Sequence, residues 1–356
     1  MTDGAPSSAP APRPDADRSG VAATAPLLDV RDLHVAFAAR DGAARAVDGV
    51  DLSMRAGEIV ALVGESGCGK TTLARTIVGL QRPASGSVLL RGQELTYGRR
   101  ALRAHHRDVQ MVFQDPTGAL NARQTIYEAV AEGVRVQHVP GDEEQLVAEA
   151  LSRAGLRPPE RFFARYPYEI SGGQRQRVII AGAMVLAPSL LVADEPVSSL
   201  DASVRGEILA LMLRLVRETE VAILVVTHDL GLAWNVADRV AVMYLGRIVE
   251  QGSTEELLTA PRHPYTRALL SVVPEVAHVE PQILRGEAPD PTRIPSGCRF
   301  HPRCPVVASG EAARLGIEDR CRGEDLALAP VPDAAPGSEQ VVACHAVTGA
   351  PVAASP

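Results

Sequence analysis

The sequence predicts an α/β domain built on a largely parallel sheet. Three observations carry that expectation. Short apolar runs at 58–63, 190–193 and 221–226 are strand-sized and bounded by turn-forming residues. Segments with helical apolar spacing stand between them, and strands that alternate with helices pair in parallel. Residues 64–71, Gly-Glu-Ser-Gly-Cys-Gly-Lys-Thr, follow the first run and fit G-x-x-x-x-G-K-[ST], the loop that opens a helix in P-loop NTPases.

Taken in order, residues 1–26 are rich in Ala, Pro, Ser and Asp and bury too little apolar surface to order themselves, so a disordered tail is expected. Segments 28–37 and 46–54 have strand-like patterning. The buried strand at 58–63 leads into a helix over 71–80. Helical spacing returns at 125–136 and 142–154, with Val147, Ala150, Leu151 and Ala154 on one side of the second. Residues about 115–175 therefore read as a helical subdomain inserted in a nucleotide-binding domain spanning 27–256. A helix around 208–216 separates the last two apolar runs. From about 257 to 346 the chain becomes Pro-rich and carries four of its five cysteines, the mark of a small distinct extension. Residues 347–356 read as a second disordered tail.

Composition narrows the function classes. The chain has 356 residues, 46% hydrophobic and 22% charged, within the range of globular proteins. Lys and Arg number 36 against 43 Asp and Glu, and the net charge of −7 gives no whole-chain reason to expect a nucleic-acid partner. No apolar run approaches the roughly 18–20 residues of a membrane span, and the first twenty residues lack the apolar core of a secretory signal. A cytoplasmic protein is expected, with any membrane role supplied by a partner. In that setting five cysteines suit thiols or metal ligands better than a disulfide framework.

The loop explains its own residue types. Gly64, Gly67 and Gly69 let the backbone bend so that N–H groups around Glu65, Ser66, Cys68 and Thr72 face phosphate oxygens, and the following helix N-terminus adds partial positive charge. Lys70 is expected on the β- and γ-phosphates and the Thr71 hydroxyl on Mg²⁺, which makes ATP and Mg²⁺ the expected ligands. Cys68 reads as a small loop residue, with a redox switch as the alternative. Asp194 and Glu195 follow the run at 190–193: Asp194 is placed to hold Mg²⁺, Glu195 to act as general base on the attacking water. His228 follows the run at 221–226, where an imidazole can contact the γ-phosphate and orient that water.

Ile170-Ser171-Gly172-Gly173-Gln174 is the segment that selects among P-loop proteins, and here the chain resembles an ATP-binding cassette (ABC) subunit. The order agrees: phosphate loop at 64–71, Gln114, Ser171 to Gln174, Asp194-Glu195, Ser199-Leu200-Asp201, then His228. Ile170 stands where Leu is commoner. The resemblance, over residues 27 to 346, implies that Gln114 touches Mg²⁺ and the nucleophilic water, that Asp201 lies at a dimer seam, and that Phe37 stacks on adenine. It also implies that Ser171, Gly172, Gly173 and Gln174 contact ATP held by a second subunit. One copy of each motif cannot build a whole site, so an identical or homologous ATPase partner is expected.

The extension narrows the reading. His263-Pro-Tyr-Thr, then Cys298-Arg-Phe-His-Pro-Arg-Cys304, Cys321 and Ala343-Cys344-His345, resemble the oligopeptide/dipeptide/nickel importer branch. Gln114 to Arg123 is similar to that branch too, with Ala122 where Pro is usual and Gly182 where Arg is common. The implied function is ATP-driven import of oligopeptides or dipeptides through two transmembrane permease subunits and an extracytoplasmic solute-binding protein, with the ATPase on the cytoplasmic face of the membrane. Nickel, opines or glutathione-like solutes are the alternative cargo, and a soluble ABC ATPase acting on DNA or ribosomes is the alternative class. Cys298, Cys304, Cys321 and Cys344 match neither a zinc-ribbon nor a ferredoxin spacing. Four converging thiolates suit a [4Fe–4S] cluster, which some relatives in the branch hold, with Zn²⁺ or free or disulfide-bonded thiols as alternatives. His301 and His345 are spare donors.

Overall fold

The computed structural model describes residues 25–39, 42–114, 116–198, 200–273, 281–284, 286 and 290–348. The expected tails, apart from residues 25, 26, 347 and 348, lie outside the described residues, as does Ser199. The chain builds β1 (Leu28–Ala39), β2 (Gly42–Met54), β3 (Ile59–Val63), α1 (Lys70–Val78), β4 (Ser85–Leu90), β5 (Gln93–Glu94), α2 (Arg99–Asp108) and β6 (Val109–Val112). Helices α3 (Pro116–Ala119), α4 (Ile126–Gln137), α5 (Glu143–Arg153), α6 (Glu160–Phe163) and α7 (Gly172–Met184) follow. Then come β7 (Leu190–Asp194), α8 (Ala202–Thr219), β8 (Ala222–Thr227), α9 (Leu230–Val236), β9 (Arg239–Tyr244), β10 (Arg247–Ser253), α10 (Thr254–Thr259) and α11 (Pro264–Leu270). The extension ends with helical turns α12 (Pro305–Ala308), α13 (Glu311–Arg314) and α14 (Glu318–Gly323), strands β11 (Ala329–Pro330) and β12 (Val341–Val342), and α15 (His345–Thr348).

The principal sheet has the order β11-β12-β10-β9-β3-β8-β7-β6. Its centre, β9-β3-β8-β7-β6, is parallel. Every residue of β3, β7 and β8 is buried, which is why these strands run apolar without alternation up to their last residues, Asp194 in β7 and Thr227 in β8. Helices cover both faces: Leu73 and Ile77 of α1 pack against the face bearing Val60, Leu62 and Leu224, while α4, α7 and α8 pack against the face bearing Ala61, Val63 and Ile223.

Segments 28–37 and 46–54 form strands, as their patterning suggests, but outside the principal sheet. They pair antiparallel as β1 and β2 in a separate four-stranded sheet, β2-β1-β4-β5. The connection between them is too short for a parallel crossover, which needs a dozen residues or more, so a hairpin is the accessible pairing. The extension is also less distinct than composition suggests. β12 adds to β10 through Glu250–Val342 and Gln251–Val341, and Phe300 and Cys304 belong to the principal core. Small satellite clusters around Ile317 and Val331 do not amount to a core of their own.

Some boundaries run through elements. The expected subdomain end near 175 falls inside α7, and the domain boundary at 256 falls inside α10. Val347 and Thr348, assigned to a tail, occupy α15, where their backbone N–H groups both donate to the Cys344 carbonyl. The helical subdomain is well capped: Thr125 and Glu128 form a reciprocal capping box on α4, and Asp142 accepts from Glu144 and Gln145 on α5.

Candidate functional site

Residues 64–69 turn the chain from β3 into α1. The turn needs glycine on two counts. Gly64 has φ 154° and a side-chain carbon there would meet the Met243 carbonyl at 2.1 Å; Gly69 has φ 110° and would meet the Ala46 carbonyl at 2.0 Å. No side chain caps α1 at Gly69, so the orphan N–H groups of its first turn remain available to an anion. Lys70 is buried, and its Nζ donates to the Gly64 and Glu65 carbonyls at 2.7 and 2.9 Å. Cys68 is buried as well. Burial raises its thiol above the ordinary range despite the nearby Lys70 charge, which works against thiolate formation.

The strand order does the assembly. β3, β8, β7 and β6 lie side by side, and their C-terminal ends carry the phosphate loop, His228, Asp194-Glu195 and, two residues past Val112, exposed Gln114. The carboxyl ends of parallel strands are where open α/β sheets bind ligands. The Thr71 hydroxyl lies 3.3 Å from Asp194 Oδ1. Burial pushes the Asp194 carboxyl up, and the Thr71 hydrogen bond opposes it. Two oxygen donors beside a phosphate loop are the ligands Mg²⁺ uses when phosphates and water complete its shell.

Glu195 takes φ 50°, the left-handed region that a non-glycine residue enters at a cost of about 1–2 kcal/mol. Its N–H donates to the Val226 carbonyl at 2.9 Å, which fixes the turn against β8. The turn aims the carboxylate at His228: Oε1 lies 2.7 Å from Nδ1. The Glu195 side chain is 12% exposed and that of His228 58%, so the carboxylate is shielded and the imidazole projects.

Three predicted groups lie outside this cluster. Ser171 caps α7, with its Oγ accepting from the Gln174 N–H at 3.2 Å and Gln174 Oε1 accepting from the Ser171 N–H at 3.0 Å. The first turn of α7 holds Gly172, Gly173 and no acidic residue, leaving a helix N-terminus open to an anion. A Cβ on Gly173 would meet Val204 of α8 at 2.6 Å, so glycine is needed for that helix contact. Asp201 is exposed and precedes α8. Phe37 is 43% exposed on β1, opposite Ala44, two residues from the Ala46 carbonyl that abuts Gly69. Phe37 therefore lies on the sheet whose strand β2 abuts the loop at Gly69.

Sequence reasoning missed a set of residues from the extension. Tyr265 Oη accepts from the Glu65 N–H at 2.9 Å, and Arg303 binds the Glu65 carboxylate through both nitrogens at 2.7 and 3.0 Å. Arg299 donates to the Leu245 carbonyl at 2.6 Å and pairs with Asp48. Tyr265 and Arg303 sat inside strings already singled out, but partners some 200 residues away leave no local signal.

Cys298, Cys304, Cys321 and Cys344 are free thiols that line one small apolar cavity together with His263, His301 and His345. Burial pushes Cys298 up to about 11 and Cys344 up to about 12, and raises Cys304 and Cys321 as well. His301 Nδ1 bonds the Cys298 carbonyl at 2.9 Å and His345 Nε2 the Glu324 carbonyl at 3.1 Å. Among the described residues, no group of three or more His, Cys, Asp or Glu side chains is arranged to hold a metal ion. No helix among them is long and apolar enough to cross a membrane.

Comparison with known proteins adds an independent finding. Residues 47–198 match the ABC transporter family model, and residues 249–310 match that of the oligopeptide/dipeptide transporter C-terminal region. The oligopeptide transport ATP-binding protein AppF of Bacillus subtilis is 41% identical over 79% of this chain and 90% of its own length. The di/tripeptide transport ATP-binding protein DppF of Pseudomonas aeruginosa is 43% identical over 85% and 90%. Among solved structures, cbiO1 of Clostridium perfringens, part of the ABC transporter complex cbiONQ, aligns with a TM-score of 0.60 at 30% identity, covering 66% of this chain and 91% of its own. The dimeric cassette MJ0796, in a post-hydrolysis state with ADP and Pi, aligns at 0.58 with 26% identity, over 64% and 98%.

Proposed function

The chain belongs to the ABC transporter family, with the C-terminal region of the oligopeptide/dipeptide branch, and from that premise we propose that it is the ATP-hydrolysing subunit of a peptide importer. The observation that carries the reading is the row of strand ends that brings Lys70, Thr71-Asp194 and Glu195-His228 to one edge of the sheet.

ATP lies with its phosphates on the loop N–H groups and the N-terminus of α1, and Lys70 supplies the charge against the β- and γ-phosphates. Thr71 and Asp194 fit Mg²⁺, which neutralises charge on the transferring phosphoryl group. Glu195 accepts the proton of the attacking water. His228 holds the Glu195 carboxylate through Nδ1 and presents Nε2 toward the γ-phosphate. Gln114, at the end of the edge strand β6, closes the row beside Asp194.

The open N-terminus of α7 is the half of the site that each chain offers to another. Two chains paired head to tail put Ser171, Gly172 and Gly173 of one against the γ-phosphate held by its partner, with each Asp201 at the seam. ATP then joins the pair and hydrolysis releases it, a two-state element that drives permeases. ABC ATPase subunits of this kind work as dimers with transmembrane permeases. Peptide as cargo is supported by the relatives named for peptide transport and by the extension shared with that branch. A solute-binding protein outside the membrane and a place on its cytoplasmic face complete the proposal. Phe37, exposed on the sheet that abuts the loop, is assigned to the adenine.

A second reading concerns the four thiols. Four thiols that line one cavity, in an extension shared with the oligopeptide/dipeptide branch, support a [4Fe–4S] cluster, over a single zinc ion, as the preferred ligand. Its role is to hold an extension whose own core is small.

Phosphate release from the purified chain tests the first reading. The unaltered protein is expected to hydrolyse Mg-ATP, and Lys70→Ala to lose both binding and turnover. Turnover that survives in Lys70→Ala overturns the assignment.

A further inference from the structure

Every polar group of Glu65 is engaged, and two of its four partners come from the C-terminal extension, the others being Lys70 and, at 3.3 Å, the Cys68 N–H. The N–H donates to Tyr265 Oη at 2.9 Å. The carboxylate takes a two-pronged pair from Arg303 at 2.7 and 3.0 Å. The carbonyl accepts from Lys70 Nζ at 2.9 Å. The Arg303 side chain is 8% exposed and that of Glu65 28%, so the pair is largely withdrawn from solvent and its geometry is fixed by a planar fork.

The extension in turn is anchored to the cassette at this point. Tyr244, the last residue of β9, packs against Tyr265 and Phe300 with ring centroids 4.7 and 5.2 Å apart, and Tyr265 and Phe300 are 5.3 Å apart. Such contacts contribute about 0.5–1.5 kcal/mol each beyond area burial. Four residues before Arg303, Arg299 grips the Leu245 carbonyl and Asp48. The segment between Cys298 and Cys304 therefore reaches the phosphate loop from a fixed base.

We propose that Arg303 and Tyr265 are positioning residues for ATP binding: they hold Glu65, and through its carbonyl Lys70, in the arrangement that receives the triphosphate. The proposal rests on ATP binding at this loop and is independent of the transported solute. Charge explains why the loop needs them. A triphosphate approaches a loop that contains its own carboxylate, and like charges a few ångströms apart at a partly buried site repel strongly. Arg303 cancels that charge and turns Glu65 from a competitor into an anchor. Tyr265 fixes the peptide on the side opposite Lys70.

Arg303→Met in the full-length chain tests this by steady-state ATPase kinetics. The contact exists before the reaction starts, so its loss weakens ground and transition states alike. KM for ATP is expected to rise about tenfold, the scale of one charge-assisted contact, with kcat at saturating ATP within about twofold. Glu65→Gln removes the repulsion at its source. The double variant Glu65→Gln/Arg303→Met is therefore expected to lie within about threefold of Glu65→Gln alone, a non-additivity diagnostic of direct coupling. Arg303→Lys keeps the charge without the fork and falls between, and it serves where Arg303→Met does not fold. An unchanged KM in a folded Arg303 variant, or losses that simply multiply in the double variant, overturns the proposal alone. Failure of the unaltered chain to bind ATP overturns the ATPase reading and the proposal with it.

Discussion

Glu195 Oε1 and His228 Nδ1 meet at 2.7 Å across the neighbouring ends of β7 and β8. The contact divides the work. It occupies Nδ1 and leaves Nε2 as the ring's remaining polar atom, while the shielded carboxylate keeps its second oxygen for water. Glu195→Gln retains shape and loses basicity. Hydrolysis is expected to fall about 10²–10⁴-fold, the range for a lost general base, with ATP binding retained. Phosphate release and nucleotide binding on the same preparation check this, and near-normal turnover removes Glu195 from that role.

His228→Ala leaves the loop, Thr71 and Asp194 untouched and frees the carboxylate from its ring partner. kcat is expected to drop by about two orders of magnitude, in keeping with lost positioning of a catalytic group. KM for ATP should stay within about threefold. A variant in which KM rises and kcat holds makes His228 a binding residue instead.

The split site has a physical consequence of its own. With ATP bound and hydrolysis blocked, Glu195→Gln is expected to run as a dimer in size-exclusion light scattering and to return to monomer in ADP. Adding Ser171→Arg places a cation and a bulky side chain on the cap of α7, where Ser171 and Gln174 now cap each other. The ATP-dependent dimer should disappear while ATP binding survives. A dimer that persists in that double variant argues against the α7 terminus as the seam.

Acid stability follows from His263. The side chain is fully buried, burial lowers its pKa to about 3, and its Nδ1 accepts from the Tyr265 N–H at 3.0 Å. Below pH 6.5 the unfolded chain binds a proton that the folded chain refuses. Stability is therefore present above about pH 6.5 and lost as pH falls toward 3, by up to about 1.4 kcal/mol per pH unit from this one group. His263→Asn keeps an acceptor for the cap and cannot titrate. Urea melts at pH 7.5 and 5.5 should show a shallower pH dependence in that variant; equal slopes in the two proteins contradict the assignment.

For the four thiols, protein purified without oxygen is expected to carry about four irons and four sulfides per chain. Cys298→Ser should lower that content and the melting temperature together. Stoichiometric zinc in place of iron selects the alternative ion, and absence of both leaves four free thiols.

The legible part of the molecule was the part written locally. Runs such as Ile223–Val226 are apolar at every position because both faces of the strand are covered, and a phosphate loop, an Asp-Glu pair and a histidine each stand at the end of such a run. That is enough to assign Thr71 and Asp194 to one Mg²⁺ and Glu195 and His228 to one water from the sequence alone. The hairpin of β1 and β2 was missed because half-polar patterning does not reveal which sheet a strand joins. β12 was missed because two residues, Val341 and Val342, carry no periodicity, and only pairing with Glu250 and Gln251 makes them a strand. Arg303 and Glu65 are 238 positions apart. Nothing in either neighbourhood demands the other; the contact exists because Tyr244, Tyr265 and Phe300 pack together and bring the extension over the loop.

The central claim is an ATPase that powers peptide import through membrane partners. Affinity isolation of the tagged chain from its native cells in mild detergent, followed by mass spectrometry, tests it most directly. The account predicts two multi-span permeases, a peptide-binding protein, and two ATPases per permease pair, either two copies of this chain or one copy and one homologous ATPase. Recovery of ribosomal or DNA-repair proteins with no membrane subunit would leave the ATP chemistry standing and contradict the transport function.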